Sequence, residues 1–334
     1  MNVYKLKFRS ALHVDEKGSG TPETVSEFIR SDTISAAVSI AWAKLFPEDS
    51  PAVFSNPPFR LSSAFPFIGD ILLFPVPVWG IWKQADDPEK RKDIKKIKWL
   101  SLSLLEQVLA GAILSVDDCQ IMPCGISITR DELTRNKALT QFTEPWKLVE
   151  RQRVAVDRLN TDPSTDESQG RLFFFAMQFF AEESGLFLIA DGGEKDIKRL
   201  RAVLDFLGDE GMGADRSSGL GSFKVTHSQT FSVNSPKKTD GWFTLSLFNP
   251  KPDENLEKLL MNSGYSLVTR SGWISGSTYG RAPIKTFGES SFFSDKPDGR
   301  TVSVLNPDLI EHLGHDVFRD FRTLSIPCVK PDKL

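Results

Sequence analysis

The stretch GDEGMGADRSSGLGSF, residues 208–223, decides how the rest of the chain is interpreted. It follows residues 194–207, whose apolar side chains recur at helical spacing, and it leads into residues 223–231, which are typical of a strand. Glycine lets backbone N–H groups approach an anion closely, and Arg216, Ser217 and Ser218 add side-chain donors. A glycine C-cap followed by a tight turn would explain only the first one or two glycines. We interpret the segment as a loop that contacts backbone phosphates or docks a partner protein.

Two common phosphate-binding motifs are excluded for this loop. A P-loop requires Gly-Lys-Ser/Thr, which is missing here. A dinucleotide-binding fingerprint runs from a strand into a helix, whereas this loop runs from a helix into a strand. The positive end of the helix therefore points away from the loop.

The N-terminal region has the pattern of a β-α-β unit. Residues 4–9 alternate apolar and basic side chains, which predicts a half-buried strand. Ser31, Asp32 and Thr33 precede an apolar helical stripe, and their position favours a capping role for Asp32. Residues 57–82 predict irregular strands and turns. A basic run at residues 88–98 leads into a single helix whose stripe extends from Ile94 to Ala112.

Residues 147–159 and 171–180 predict two strands that form a long hairpin, with a polar tip at residues 160–170. Arginine pairs with phosphates in a fork and stacks on unpaired bases, as recognition of single-stranded RNA requires. The hairpin carries three candidates for this role, Arg151, Arg153 and Arg158.

A second interpretation of these arginines stays open. Arg151 and Arg153 also fit the solvent face of an amphipathic strand, paired with Glu150 or Asp157. The aromatic residues of the second strand, Phe173, Phe175 and Phe179, are typical of a core rather than of a stacking surface for bases.

The last third of the chain repeats the β-α-β pattern. Residues 235–238 form the best linker candidate, and a strand, a short helix and further strand-like runs follow them. Two consecutive units of this kind predict an α+β protein with a duplicated ferredoxin-like fold, divided into residues 1–234 and residues 235–334.

The composition is that of a globular protein with little net charge. Lys and Arg number 41 against 44 for Asp and Glu, which gives a net charge of −3. RNA binding would therefore rest on local basic patches or on charge supplied by partners. The apolar runs are too short to span a bilayer, and the N-terminus has no secretory pattern. Three cysteines, without a zinc or disulfide spacing, predict reduced thiols in a cytoplasmic protein.

The glycine-rich segment at residues 211–223, which follows a predicted helix, resembles the signature glycine-rich loop of the RAMP superfamily of CRISPR-associated proteins. The Ser31-Asp32-Thr33 motif is similar to one found in some RAMP families, and the arginine-bearing hairpin resembles their β-hairpin "thumb". With residues 62–67 and 270–273 added, the combination is similar to the fourth-subunit family of type III-A (Csm) effector complexes. The similarity extends from the first strand to about Phe293.

This resemblance implies two RRM-like domains and a non-catalytic subunit that uses no cofactor and no metal. It implies binding of the 5′ repeat-derived handle of the guide RNA. The implied protein partners are the large polymerase/cyclase subunit on one side and the adjacent backbone RAMP subunit on the other. The expected RNA contacts come from the hairpin, the loop and the helix motif, at Arg151, Arg153, Asp157, Arg158, Gly211, Gly213, Arg216, Ser217, Ser218, Gly219, Gly221, Ser31 and Thr33.

Few residues are candidates for catalysis. Ribonucleases of this superfamily use a histidine as general acid or base, and some relatives carry one where this chain has Arg30. His13 is the plausible substitute, although a single loop histidine is usually solvated. His312 and His315 fall on one face of a predicted short helix, but no third metal ligand is near in sequence. Asp117 and Asp118 would point to opposite faces of a strand.

Two other functions therefore stay open. One is an endoribonuclease that uses His13 or an acidic residue between Asp15 and Glu27. The other is a protein-docking scaffold without RNA contact. The basic run at residues 90–98 is typical of a solvated helix face, and it is a weaker candidate for contact with RNA or a partner.

Overall fold

The chain is a mixed α+β protein, as its computed structural model shows for residues 1–15, 21–136, 139, 144–155, 171–234, 236, 238–274, 277 and 279–330. The predicted α+β class is confirmed. These residues include eight helices: α1 (Ser31–Leu45), α2 (Ala52–Ser55), α3 (Pro88–Lys96), α4 (Leu102–Leu109), α5 (Arg130–Arg135), α6 (Glu194–Glu210), α7 (Leu256–Leu260) and α8 (Pro307–Leu313).

The same residues form eighteen strands in five sheets. In the first half of the chain they are β1 (Asn2–Phe8), β2 (Phe59–Leu61), β3 (Phe65–Ile68), β4 (Ile71–Pro75), β5 (Trp99–Ser101), β6 (Cys119–Met122), β7 (Ile126–Thr129) and β8 (Trp146–Ala155). The others are β9 (Arg171–Phe180), β10 (Ser184–Gly192), β11 (Phe223–Thr230), β12 (Gly241–Thr244), β13 (Leu267–Arg270), β14 (Ile284–Phe287), β15 (Phe292–Phe293), β16 (Thr301–Ser303), β17 (Phe318–Asp320) and β18 (Ser325–Cys328).

The largest sheet has nine strands, in the order β11-β1-β10-β3-β4-β5-β7-β6, with β2 also paired to β10. From β11 to β3 every pair is antiparallel. Helices α1 and α6 cover one face of these strands, because the apolar stripe of each helix packs on side chains that alternate along the strands. Tyr4 and Leu6 of β1 are buried there beside Trp42 and Leu204.

The first strand differs from its predicted half-buried form. Strand β1 lies in the interior of the sheet. Val3 and Lys5 on its face opposite the helices are also buried, and Val3 packs in the second hydrophobic cluster of the protein. The ammonium of Lys5 donates to the carbonyl oxygen of Gly69 at 2.8 Å, which satisfies the charged group in place of water.

The predicted helix over residues 94–112 is wrong. Two helices, α3 and α4, stand there with strand β5 between them. Residues 99–101 pair with β4 on one side and with β7 on the other, so tertiary pairing overrides the helical spacing of the apolar residues. Asp117 and Asp118 belong to a short 3₁₀ turn rather than to a strand, and His315 lies beyond the end of α8.

The pairing of the two predicted strands is confirmed as far as residue 155, and residues 156–159 of the first predicted strand lie outside the described residues. Strands β8 and β9 pair antiparallel from Trp146 opposite Phe180 to Ala155 opposite Arg171. The base of the hairpin is fixed by two backbone hydrogen bonds between Leu12 and Gln178, at 2.8 and 2.9 Å. The predicted tip at residues 160–170 lies outside the described residues.

The C-terminal segment shares a hydrophobic core with the large sheet. Its three-stranded sheet has the order β15-β12-β18, and Phe243 and Leu245 pack in one cluster with Phe187 and Ile189 of β10. The backbone N–H of Ser63 donates to the carbonyl oxygen of Leu245 at 2.9 Å. Residues on both sides of the predicted linker therefore bury each other.

The cysteines are free, with Cys119 and Cys328 buried, which agrees with the predicted reduced thiols. Burial raises the pKa of the Cys328 thiol to about 12, so this group stays protonated at neutral pH. Among the described residues, no helix is long and apolar enough to cross a bilayer.

Candidate RNA interface

The glycine-rich loop is folded against residues 11–13, the segment that follows β1. The N–H of Gly221 donates to the carbonyl oxygen of Ala11 at 2.8 Å, and the N–H of Ala214 donates to that of His13 at 2.9 Å. Within the loop, Met212 N–H donates to the Gly221 carbonyl oxygen at 2.9 Å. Several backbone N–H groups of the loop are therefore already bonded within the chain and do not point to solvent.

Three glycines of the loop are required by its packing. Gly213 has φ +93°, and a Cβ there would lie 2.4 Å from the carbonyl oxygen of His13. Gly221 has φ +75°, and a Cβ would lie 1.8 Å from the carbonyl oxygen of Met212. Gly211 is similar, with φ +83° and a contact of 2.7 Å to Leu220. The conformational role, which the sequence assigned to the first glycines only, thus extends through the loop.

The exposed part of the loop is a short 3₁₀ turn, Arg216–Ser218. Asp215 before it and Gly219 after it both have left-handed backbone, with φ of 62° and 84°. Arg216, Ser217, Ser218 and Gly219 are all exposed, and a Cβ on Gly219 would meet no atom within 4 Å. This turn presents a guanidinium and two hydroxyls to solvent, which suits it to contact a phosphate.

Arg153 of the hairpin reaches the loop. Its guanidinium forms an ion pair with Asp215 and lies over the ring of Phe175, 4.0 Å from the centroid. Its predicted partners included Glu150 and Asp157, whereas the structure shows a partner from the glycine-rich loop. Sequence reasoning missed Asp215, because no spacing relates an acidic residue in one loop to an arginine on a distant strand.

Of the remaining hairpin candidates, only Arg151 lies within the described residues. Arg151 is exposed, and its guanidinium lies 5.5 Å from the centroid of Phe179. Phe175 is buried and Phe179 is partly buried in the small cluster under the hairpin, in keeping with their predicted core role. Asp157 and Arg158 lie outside the described residues.

The sequence suggested a solvated loop histidine at position 13, but His13 is buried. It is 3% exposed, its Nδ1 lies 2.6 Å from the carbonyl oxygen of Ala176, and its ring stacks on Phe175 at 4.4 Å between centroids. The imidazole is thus enclosed between the hairpin and the loop, where a substrate has no direct access to it.

The Ser-Asp-Thr motif faces the protein interior. Ser31 Oγ accepts a hydrogen bond from the N–H of Leu247 at 3.0 Å, and Ser31 is 4% exposed. Thr33 Oγ1 accepts one from the Arg270 guanidinium at 3.1 Å. Both side chains connect α1 to the C-terminal segment.

The predicted capping role of Asp32 is wrong. Asp32 is the second residue of α1, it is 0% exposed, and both of its carboxylate oxygens accept from Arg270 Nε at 3.2 Å. Burial alone would raise the pKa of this carboxyl. Nearby arginines outweigh that effect and hold the pKa below its usual value, and they are Arg270, Arg319 and Arg281.

The basic run at residues 90–98 is largely neutralised. Lys92 and Lys96 pair with acidic residues of their own helix, α3, at 2.8 and 2.9 Å. Lys90 pairs with Asp117 at 2.6 Å, and Lys98 pairs with Glu27 at 2.6 Å. These contacts favour the solvated helix face over an RNA surface.

The described residues contain no group of three or more His, Cys, Asp or Glu side chains that could hold a metal ion. Arg30, at the position where some relatives carry a histidine, pairs with Glu289 at 2.5 Å. His312 Nε2 lies 2.9 Å from the hydroxyl of Tyr279.

Comparison with known proteins gives matches along the chain. Residues 237–328 match the family model of the CRISPR Csm4 C-terminal domain. "CRISPR system Cms protein Csm4" of Mycobacterium tuberculosis (strain CDC 1551 / Oshkosh) is 26% identical over 251 residues, which cover 73% of this chain and 73% of that protein. The protein of the same name from Methanocaldococcus jannaschii is 28% identical over 246 residues, covering 67% of this chain and 65% of the relative.

The fold is also found in solved structures. A chain in the crystal structure of the Csm3–Csm4 subcomplex of the type III-A CRISPR–Cas interference complex superimposes with a TM-score of 0.66 and 18% identity, over 98% of this chain and 99% of that one. A chain of the Csm1–Csm4 cassette in complex with pppApA gives a TM-score of 0.58 and 20% identity, over 99% and 98%. Together with the C-terminal domain match and the curated relatives, these findings support a Csm4-like RAMP protein.

Proposed function

We propose that this chain is a non-catalytic, RNA-binding subunit of a type III-A CRISPR interference complex, acting in antiviral defence. It holds the 5′ repeat-derived handle of the guide RNA. One observation carries the proposal: the exposed turn Arg216–Ser218 directly follows Asp215, which the hairpin contacts through Arg153. Cationic and hydroxyl groups from two distant segments thus converge, as single-stranded RNA binding requires.

The RNA surface that we propose is smaller than the sequence suggested. It consists of the exposed hairpin residue Arg151, the turn Arg216–Ser218 and Gly219. Arg153 joins the hairpin to the glycine-rich loop through its ion pair with Asp215, and in this way it positions the exposed residues. Gly211, Gly213 and Gly221 shape the loop, since each of them packs against backbone of this chain.

We further infer that the N-terminal part contains one ferredoxin-like module. Its strands and helices alternate along the chain as β1, α1, β3, β10, α6 and β11, and the sheet order β11-β1-β10-β3 is the one expected for that arrangement. A second RRM-like module in residues 235–334 remains our proposal. The family match that begins at residue 237 supports a boundary near the predicted linker.

The proposal includes two protein partners. The chain docks the large polymerase/cyclase subunit onto the backbone RAMP subunits. Support comes from the solved structures with this fold, which are the Csm3–Csm4 subcomplex and Csm1–Csm4 cassettes.

A protein-docking scaffold without RNA contact is the second candidate, and one observation favours it. Several glycines of the loop serve internal packing, so the glycine content by itself does not require a phosphate. An endoribonuclease is less well supported, because His13 is enclosed and bonded to the Ala176 carbonyl oxygen.

Co-purification separates these functions. The chain is expressed together with its candidate partner subunits, and the RNA in the purified assembly is sequenced. We expect RNAs that share a repeat-derived 5′ end. An assembly that forms without RNA would support the scaffold, and repeat-specific cleavage by the chain alone would support the endoribonuclease.

A further inference from the structure

Three arginines surround one buried carboxylate where the C-terminal segment meets α1. Arg270 binds Asp32 through Nε at 3.2 Å and through a terminal nitrogen at 3.2 Å. Arg281 and Arg319 lie close enough to contribute to the lowered pKa of Asp32. Three guanidinium groups therefore face a single carboxylate, which leaves this region with a surplus of positive charge.

Other acidic residues nearby have partners of their own. Asp320 pairs with Arg322 at 2.8 Å, and Asp316 accepts a hydrogen bond from Ser303 at 2.7 Å. Within the described part of the chain, Arg281 and Arg319 form no ion pair at 4 Å or less. Arg322 balances Asp320, whereas a serine hydroxyl leaves the negative charge of Asp316 in place. The three arginines therefore exceed the two remaining carboxylates, Asp32 and Asp316, by one positive charge.

Two buried donors in this cluster also lack a hydrogen-bond partner among the described residues: the Nε atoms of Arg281 and Arg319. Each arginine donates from a terminal nitrogen to a backbone carbonyl oxygen, that of Ser271 at 2.5 Å and that of Phe318 at 3.0 Å. Burial lowers the pKa of Arg319 to about 9, so the group remains positive at neutral pH. A buried, charged donor without a partner is costly, and an oxyanion would remove that cost.

Arg319, but not Arg281, lines a cavity of about 560 Å³, and the carboxylate-bearing residues Asp316 and Asp320 line it as well. The hydroxyl-bearing residues Ser35 and Ser39 line it from α1, while Phe54 and Ile274 provide apolar wall. Its volume is within the range of small-molecule sites, so a phosphate-bearing group has room to enter.

We propose that Arg281 and Arg319 form a phosphate-binding site reached through this cavity, with Arg270 and Asp32 fixing the arginines in place. A guanidinium fork matches phosphate oxygens in geometry and charge. The source is either free phosphate or the backbone of a bound RNA. Only the assignment to an RNA backbone rests on the proposed function. The site itself is built entirely from residues of this chain, so binding of free phosphate does not depend on that function.

Thermal unfolding of the purified chain tests the site. Added inorganic phosphate should raise the Tm saturably by about 2–4 °C, compared with chloride at equal ionic strength. Arg281→Gln and Arg319→Gln should lose that rise, and Arg319→Lys, which keeps the charge without the fork, should lose most of it if Arg319→Gln does not fold. The exposed Arg91→Gln is the matched control and should keep it. An equal response to phosphate and chloride, or an unchanged phosphate response in the site variants, would overturn the proposal.

A second arm identifies the source of the phosphate. Binding of a short single-stranded RNA is measured for the wild-type chain and for Arg319→Gln. A loss of about 10-fold in affinity, together with competition by inorganic phosphate, assigns the site to RNA. Equal RNA affinity with a persisting phosphate response assigns it to free phosphate. Failure of RNA to bind either protein would count against the proposed function while leaving the phosphate site intact.

Discussion

Arg153 of the hairpin and Asp215 of the glycine-rich loop form an ion pair between residues 62 positions apart in the chain. The same guanidinium lies over Phe175 of the neighbouring strand, so one side chain contacts β9 and the loop together. The hairpin and the loop, which the sequence presents as two separate RNA-binding elements, therefore form one connected surface.

Removing this link should cost stability. Because each partner is about three-tenths exposed and the cation also contacts an aromatic ring, Arg153→Ala should lower the free energy of unfolding by about 1 kcal/mol. A double-mutant cycle with Asp215→Ala, measured by urea denaturation, should give a coupling of about 0.5 kcal/mol. Strictly additive effects would show that the pair does not join the hairpin to the loop.

Arg216 should matter for RNA rather than for stability. Arg216→Ala removes an exposed guanidinium from the 3₁₀ turn, and we expect guide-RNA binding in the assembled complex to weaken by about 1–3 kcal/mol. Its Tm should stay within error of wild type. The control is Lys195→Ala, a change at an exposed residue of α6. Equal RNA retention across a salt series in both variants would exclude the turn from the RNA surface.

The loop glycines should separate into two classes. Gly213→Ala places a Cβ 2.4 Å from the His13 carbonyl oxygen at φ +93°, and it should cost at least about 1–3 kcal/mol of stability. Gly219 has open space but φ +84°, so Gly219→Val should be strained, whereas Gly219→Asn should keep the wild-type Tm.

RNA binding by the Gly219 variants then reports on the phosphate. Loss of binding in Gly219→Asn at unchanged Tm would indicate that bulk obstructs a close approach. Binding rescued by Asn would indicate that the glycine serves only the backbone conformation, and the position would leave the RNA surface.

His13→Ala should lower the stability of the folded chain, and it should abolish no RNA cleavage because we expect none in the wild-type protein. The variant removes a ring stacked on Phe175 and leaves the Ala176 carbonyl oxygen without that partner, and we expect about 2 kcal/mol of destabilisation. The wild-type protein should not cleave repeat-containing RNA, with or without divalent metal. Cleavage that His13→Ala abolishes at a temperature where both proteins are folded would contradict the non-catalytic assignment.

Asp32 should make stability depend on acid pH. Its folded-state pKa is lowered, so the stabilisation is present above the unfolded value of about 3.9 and is lost as the pH falls towards the folded value. Asp32→Asn leaves three arginines without their carboxylate and should cost about 3–5 kcal/mol at pH 7. Denaturation from pH 7 to pH 3 should show this difference shrinking below about pH 4. A difference that is constant with pH would mean that the pKa of Asp32 is the same in the folded and unfolded states.

Local patterns in the sequence predicted much of the scaffold. The apolar stripe of residues 194–207 predicted a helix that the structure extends to Glu210, and the two alternating runs around residue 160 predicted paired strands. Both depend on neighbours within a few residues, which spacing reports directly. The helix predicted across residues 99–101 was wrong, because those residues pair with strands that their own spacing does not reveal.

The candidate site was harder to predict, because its contacts join distant segments. Nothing near Asp32 in sequence announces Arg270, and position alone favoured a helix cap. His13 looked like a loop residue, yet the hairpin and the loop enclose it from both sides. The immediate neighbours gave no sign of burial, since Asp32 lies between Ser31 and Thr33, and Arg270 lies between Thr269 and Ser271.

The position of β1 between β10 and β11 sets an order on the synthesis of this protein. This strand is synthesised before both of its neighbours, which end at residues 192 and 230. A nascent chain that stops before residue 223 carries a β1 with one bare edge, which exposes unpaired backbone groups to other chains. The glycine-rich loop directly precedes β11 in the chain. The contacts of this loop with the hairpin and with residues 11–13 therefore form only at the stage of synthesis when β11 is also being made.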